Sequence, residues 1–143
     1  MKLYPNYSLL PHSYHNHFAV FPDACTSALG VASSTTIPNN QMTASSWANL
    51  GTNSDFQAWR GRLGYTPRCW CADKDKQNKD QWLQIDFLKA KKITGVTTQS
   101  QLERRVETYY FKYSLDNTVW KTYQESGLDK VRSCILHGLW LDT

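Results

Sequence analysis

Gln81-Trp82-Leu83-Gln84-Ile85-Asp86-Phe87 is the stretch on which the fold turns. Leu83, Ile85 and Phe87 fall on one face and Gln84 and Asp86 on the other, the two-residue period of a strand with one face toward a core. The same alternation recurs at 109–114, where Tyr109, Phe111 and Tyr113 oppose Tyr110, Lys112 and Ser114. Both rows are expected to enter the core. Ile93 to Thr98 reads as a further strand, and Leu115 to Val119, centred on Asp116 and Asn117, as a tight turn into a strand carrying Trp120 and Tyr123. Short β-branched and aromatic runs between turn signals, without an amphipathic helical stripe, predict an all-β sandwich or barrel.

The composition suits that class. Aromatic residues make up 13% of the 143, with six Trp and eight Tyr, and large rings pack on pleated surfaces or serve as contact platforms. A chain of this length builds one domain with a self-sufficient core. The formal charge of +4 is spread without a block of like charges, which argues against a nucleic-acid partner and leaves a weak preference for anionic surfaces. No apolar run reaches the roughly 18 residues of a membrane-spanning helix. Residues 1–24, rich in Pro, His, Asn and Tyr, read as an extended leader without a secretory signal, and the domain as beginning near Cys25. Two long polar connections, Ala48 to Gln57 and Ala72 to Asp80, are the first places to look for a site.

Catalytic chemistry is not encoded in any recognisable pattern. No serine sits in a Gly-x-Ser-x-Gly elbow, and all four histidines lie in the leader or near the C-terminus, so the chain reads as a non-enzyme. His12, His15 and His17 read as solvated leader residues. Cys69-Trp70-Cys71 is one local thiol pair where a zinc site uses two spaced pairs, and no metal site is assigned. Cys25, Cys69, Cys71 and Cys134 allow two disulfides in three connectivities, although Cys69 and Cys71 are too far apart on an extended segment to join each other. Asp73, Asp75, Asn78 and Asp80 make an oxygen-rich loop with calcium-type donors, opposed by Lys74, Lys76 and Lys79; calcium is the one ion kept in view. Arg60 and Arg62, two apart on an expected strand, share a face that either meets a sugar hydroxyl, a carboxylate or a lipid phosphate or packs internally.

The order of these motifs resembles the discoidin family, known also from the C-type domains of coagulation factors V and VIII. The resemblance rests on Cys25 followed by Ala28-Leu29-Gly30-Val31, on Ile37-Pro38-Asn39-Asn40-Gln41-Met42-Thr43-Ala44-Ser45-Ser46, and on Trp59-Arg60-Gly61-Arg62-Leu63 with Trp70-Cys71. It continues through Gln81 to Asp86, Ile93-Thr94-Gly95-Val96-Thr97-Thr98-Gln99, Tyr113-Ser114-Leu115-Asp116 and Trp120, so it covers about residues 25–124.

The resemblance implies an eight-stranded jelly-roll β-sandwich with ligand loops, called spikes, at one end. The first spike is then Trp47 to Phe56, with Trp47, Asn49, Leu50 and Phe56 as binding candidates. The second falls within Ala72 to Asp80 and the third within Gln99 to Val106, where Arg104 and Arg105 are candidates. Trp47 and Phe56 either stack on a pyranose ring or anchor the loop. Lipid-binding relatives carry large apolar residues at the first spike's tip, but the matching positions here lie near Gly51 and Thr52, which lowers the membrane reading. Glu125 to Thr143 departs from the family pattern, so the sandwich is expected to lack its last strands, and the chain reads as a fragment whose partners include other domains of a longer protein. The implied function is an extracellular, non-catalytic adhesion module recognising glycans or glycoproteins. Binding to anionic phospholipid is the alternative, and a glycan hydrolase, which needs a flanking carboxylate pair, is a remote third.

Overall fold

The computed structural model describes residues 1–6, 27–49, 51, 56–64, 69–76, 81–99, 106, 108–129, 131–133 and 141–142. The fold is all-β. The only helical elements among these residues are short 3-10 turns at Asn39–Gln41, Ala58–Gly61 and Lys74–Lys76.

Strands β1 (Lys2–Asn6), β2 (Met42–Ala44), β3 (Leu83–Ile85), β5 (Thr108–Tyr113) and β6 (Lys121–Thr122) form the main sheet in the order β2-β3-β1-β5-β6. Between β3 and β5 in sequence lies β4 (Gly95–Val96), which pairs with β10 (Leu141–Asp142) in a separate ladder. A hairpin of β7 (Gln124–Glu125) and β8 (Leu128–Asp129) follows β6, and β9 (Val131–Ser133) then returns to β5. β6 and β9 pair with opposite halves of β5, β6 at Lys112 and Tyr113 and β9 at Thr108 to Tyr110, and the hairpin loops out between them.

β1 runs antiparallel to both of its neighbours, Leu3 facing Leu83 on one side and Phe111 on the other, so β3 and β5 are parallel to each other. Met1 extends the pairing: its amino group donates to the Ile85 carbonyl oxygen and Ile85 N–H donates to the Met1 carbonyl oxygen, each at 2.8 Å. The structure thus differs from the sequence reading at both chain ends. Residues 2–6, assigned to an extended leader, are a strand of the main sheet because they complete the hydrogen bonding of β3 and β5. Four strands lie beyond residue 124 or begin there, in the segment read as a divergent tail.

The core gathers Val31, Ile37, Met42, Ala58, Leu83, Ile85 and Tyr109, with Trp59, Trp70, Phe87, Ile93 and Phe111 packed against it. Ile85 and Val31 are the most completely buried, at 1% and 2% exposure, and each such side chain contributes about 1.5–3 kcal/mol. Tyr109 and Phe111 meet edge to face with centroids 5.1 Å apart. Tyr113, the third member of that expected apolar row, is 48% exposed, because β5 ends there and the chain turns outward. Gln84 departs in the opposite direction. Placed on the polar face by its period, it is buried, and its side-chain amide donates to Asn117 Oδ1 at 3.1 Å.

The turn after β5 is built as the sequence suggests. The Asp116 carboxylate accepts from Thr118 N–H, Val119 N–H and the Ser114 hydroxyl, each at 2.9 Å, and Asn117 takes the left-handed conformation, with φ of 60°, that asparagine tolerates. These donors hold the Asp116 carboxyl well below the usual carboxylate range.

Candidate functional site

The register gathers the loop ends. Ala44 faces Leu83 across the β2–β3 ladder, so the segment leaving β2 and the segment entering β3 lie side by side, and β5, parallel to β3, opens at the same end of the sheet. At this end Gln81, 4% exposed, works as a knot. Its Oε1 accepts from the hydroxyls of both Ser45, at 2.8 Å, and Ser46, while its Nε2 donates to the Lys76 carbonyl oxygen at 2.5 Å. The Ser46 hydroxyl also accepts from Asp73 N–H at 3.1 Å, and Trp70 Nε1 donates to the Ser46 carbonyl oxygen at 3.0 Å. Ala48 N–H then reaches the Cys71 carbonyl oxygen at 2.8 Å. The first loop is therefore fastened to the second by backbone and buried side-chain bonds, which cost more to leave unmade than they contribute when formed.

Trp47 stands on this base. It is 45% exposed, flanked by buried Ser46 and half-buried Ala48, so the backbone on both sides is fixed while the indole offers a face to solvent. Beside it Asn49 is exposed and closes a turn, its Oδ1 accepting from Gly51 N–H at 2.9 Å; Gly51 has the positive φ of 91° that the turn requires. An exposed indole can stack on a flat apolar ligand face, and the exposed Asn49 amide can hydrogen-bond a polar group.

Two other candidates are turned inward. Phe56 is buried, at 6% exposure, and offers no ring face to solvent. Arg60 and Arg62 do not lie on a strand: Ala58–Gly61 is a 3-10 turn that Arg62 terminates, so the two side chains do not share a face. Arg62, 5% exposed, donates to the carbonyl oxygens of Val31 at 2.5 Å and Ile37 at 2.6 Å and to Asn39 Oδ1 at 3.0 Å, which makes it a brace for the 31–39 segment. The Arg60 guanidinium carbon sits 4.7 Å from the Trp59 ring centroid, a cation–π contact, and Trp59 Nε1 donates to Gln57 Oε1. Leu50, Arg104 and Arg105 lie outside the described residues, as do Cys25, Cys134, Asn78 and Asp80. Among the described residues no cluster of three or more His, Cys, Asp or Glu is placed to hold a metal ion.

Sequence reasoning passed over the residues that build the platform: Gln81, Ser45, Ser46 and Trp70. The available signal was a glutamine next to a strand's first apolar residue, at the mouth of a long loop, where an unsolvated amide has to find partners.

The model of the F5/8 type C domain matches residues 33–134. The chain belongs to the F5/8 type C, or discoidin, domain family. Coagulation factor V of Sus scrofa is 37% identical over 115 residues, which cover 76% of this chain and 5% of that protein. The non-catalytic subunit of the venom prothrombin activator omicarin-C of Oxyuranus microlepidotus is 32% identical over the same share of the chain and 8% of its own length. Lactadherin of Rattus norvegicus is 32% identical over 116 residues, 75% of this chain and 26% of that protein. The chain thus corresponds to one discoidin domain within much longer relatives. Its match extends to residue 134, beyond the point at which the motif resemblance stops.

Proposed function

We propose that this discoidin domain is an extracellular, non-catalytic recognition module that holds a glycan or glycoprotein at the loop end around Trp47. The observation that carries the reading is the exposed indole of Trp47 on a base fixed by the Ala48–Cys71 and Gln81 hydrogen bonds. A pre-positioned ring loses little entropy on binding, and exposed Asn49 supplies polar contacts at its side. Affinity per site is modest, and repeated copies within longer proteins raise it by avidity. Family membership and the description of one relative as a non-catalytic subunit support the absence of catalysis.

The formal charge of +4 favours a second reading, peripheral attachment to anionic phospholipid. One experiment separates the two: binding to a glycan array and to vesicles of phosphatidylcholine with and without phosphatidylserine, each at low and high salt. Glycan binding that persists at high salt supports the first reading. Vesicle binding that requires phosphatidylserine and disappears at high salt, without glycan binding, replaces it with the second. Release of new reducing ends from a bound glycan would overturn the non-catalytic reading.

A further inference from the structure

Among the described residues, strand β1 alone joins the two halves of the main sheet. β2 and β3 lie on one side of it, β5, β6 and β9 on the other, and β3 and β5 share no ladder. Yet β1 stands outside the F5/8 type C match, which begins at residue 33, and both of its partner strands belong to distant parts of the chain.

The two ladders of β1 are unequal. Met1 exchanges both of its bonds with Ile85, so the alternation of an antiparallel pair turns the backbone N–H positions of Met1, Leu3 and residue 5 toward β3 and those of Lys2, Tyr4 and Asn6 toward β5. Residue 5 is proline, which has no N–H to donate. The β3 ladder accordingly covers Lys2 and Leu3 and stops, whereas the β5 ladder runs from Lys2 to Asn6. A proline in a strand that lies between two others is a weak point in the sheet.

We propose that β1 is exchanged between copies of the chain, residues 2–6 of one copy filling the place between β3 and β5 of another. Release of β1 leaves a slot one strand wide, bordered on both sides by backbone groups in need of partners, and only an extended segment antiparallel to both borders fills it. The same strand of a second copy does so with the same register and the same bonds. Residues 7–26 connect β1 to Ser27, and a stretch of that length spans up to about 65 Å, enough to reach a neighbouring domain with a radius of gyration of about 15 Å. Monomer and exchanged dimer make the same contacts, so concentration sets their balance. A chain's own β1 competes at an effective concentration on the order of a millimolar, and the dimer becomes substantial toward that range. Because the contact is a backbone ladder and not a charged surface, its extent does not change with salt. Passage between the two forms requires β1 to leave both ladders, so its rate follows the strength of those ladders. The exchange does not rest on the ligand reading, although an exchanged dimer carries two Trp47 platforms.

The test is sedimentation equilibrium of the full chain from micromolar to millimolar concentration, at low and high salt, with native mass spectrometry of mixed isotope-labelled and unlabelled dimers to follow the exchange rate. Pro5→Val restores an N–H facing β3, and Leu3→Pro removes one; folding of both is checked by circular dichroism. The wild type is expected to form dimers at the upper concentrations irrespective of salt. Pro5→Val is expected to leave the dimer fraction unchanged and to slow the appearance of mixed dimers about tenfold, the worth of one added backbone bond, and Leu3→Pro to speed it by a similar factor. If Leu3→Pro does not fold, Pro5→Val decides alone. A monomer at every concentration, or dimers that mix as fast in Pro5→Val as in the wild type, would overturn the proposal.

Discussion

The backbone N–H of Ala48 donates to the carbonyl oxygen of Cys71, 23 positions further along the chain, at 2.8 Å. The bond joins the start of the first loop to the start of the second and is independent of side-chain identity, so substitutions in either loop can vary the surface without releasing the base. Gln81 repeats the fastening from below through Ser45, Ser46 and Lys76. Loops present a constant surface only when they hold a shape, and these two relationships supply it.

Gln81→Ala is expected to cost about 2–3 kcal/mol of stability, because the Ser45 and Ser46 hydroxyls and the Lys76 carbonyl oxygen all lose a buried partner. Urea unfolding measures it. A cost near zero would show that solvent replaces the amide and that the knot does not organise the loops.

Arg62→Lys is expected to destabilise by about 2–4 kcal/mol, although it keeps the charge. One ammonium cannot reproduce the planar fork that reaches Val31, Ile37 and Asn39 together. Ligand affinity of the folded fraction is expected to be unchanged. An Arg62 variant that remains as stable as wild type but loses ligand binding would return the residue to the binding surface.

Much of the fold was legible before the structure, and the gaps have physical causes. Leu83 and Ile85 announced a strand because burial on one face leaves a two-residue period, and the Asp116-Asn117 turn announced itself through side-chain chemistry that acts locally. The burial of Gln84 left no local signal, and the partner its amide meets, Asn117, lies 33 residues away. The 3-10 turn at Ala58–Gly61 was read as a strand since Arg60, Gly61 and Arg62 carry no periodic signal, and Arg62 went inside because backbone carbonyl groups of a distant segment were waiting for donors. Residues 2–6 have no alternating pattern, and their place between β3 and β5 rests on long-range backbone pairing that leaves no local signal. At the site, Trp47 was legible as an aromatic in a loop, whereas the platform beneath it consists of pairings across distant parts of the chain.

The turn after β5 should persist into acid. The Asp116 carboxyl is lowered from its ordinary value of 3.8, chiefly by the N–H groups of Val119 and Thr118 and then by the Ser114 hydroxyl. A depressed folded-state pKa contributes stability that is fully present above the unfolded value and is lost as pH falls through the folded one. The stability difference between wild type and Asp116→Ala is therefore expected to be constant from neutral pH down to about 5 and to narrow only below 3.8. Urea titrations at a series of pH values check it, and a difference that grows toward low pH would reverse the assigned sign.

Gly30→Ala is expected to cost about 1–2 kcal/mol from the left-handed backbone alone, since φ there is +79° and the added Cβ would stand 2.5 Å from the Thr36 methyl. Thr36 is exposed and able to rotate, so Gly30→Ala combined with Thr36→Ser should recover only the smaller, steric part. Full recovery in the double variant would show that contact, and not backbone conformation, governs the position.

Recognition of a ligand by the loop end is proposed to run through Trp47. The most direct measurement is glycan-array binding of the wild type and of Trp47→Ala at matched concentration, followed by titration of the strongest glycan against both. Binding by the wild type is expected to survive high salt and to fall at least tenfold, about 1.4 kcal/mol or more, in Trp47→Ala, with unfolding by urea unchanged within about 0.5 kcal/mol. Equal binding by the two proteins, or no glycan bound by either, would contradict it.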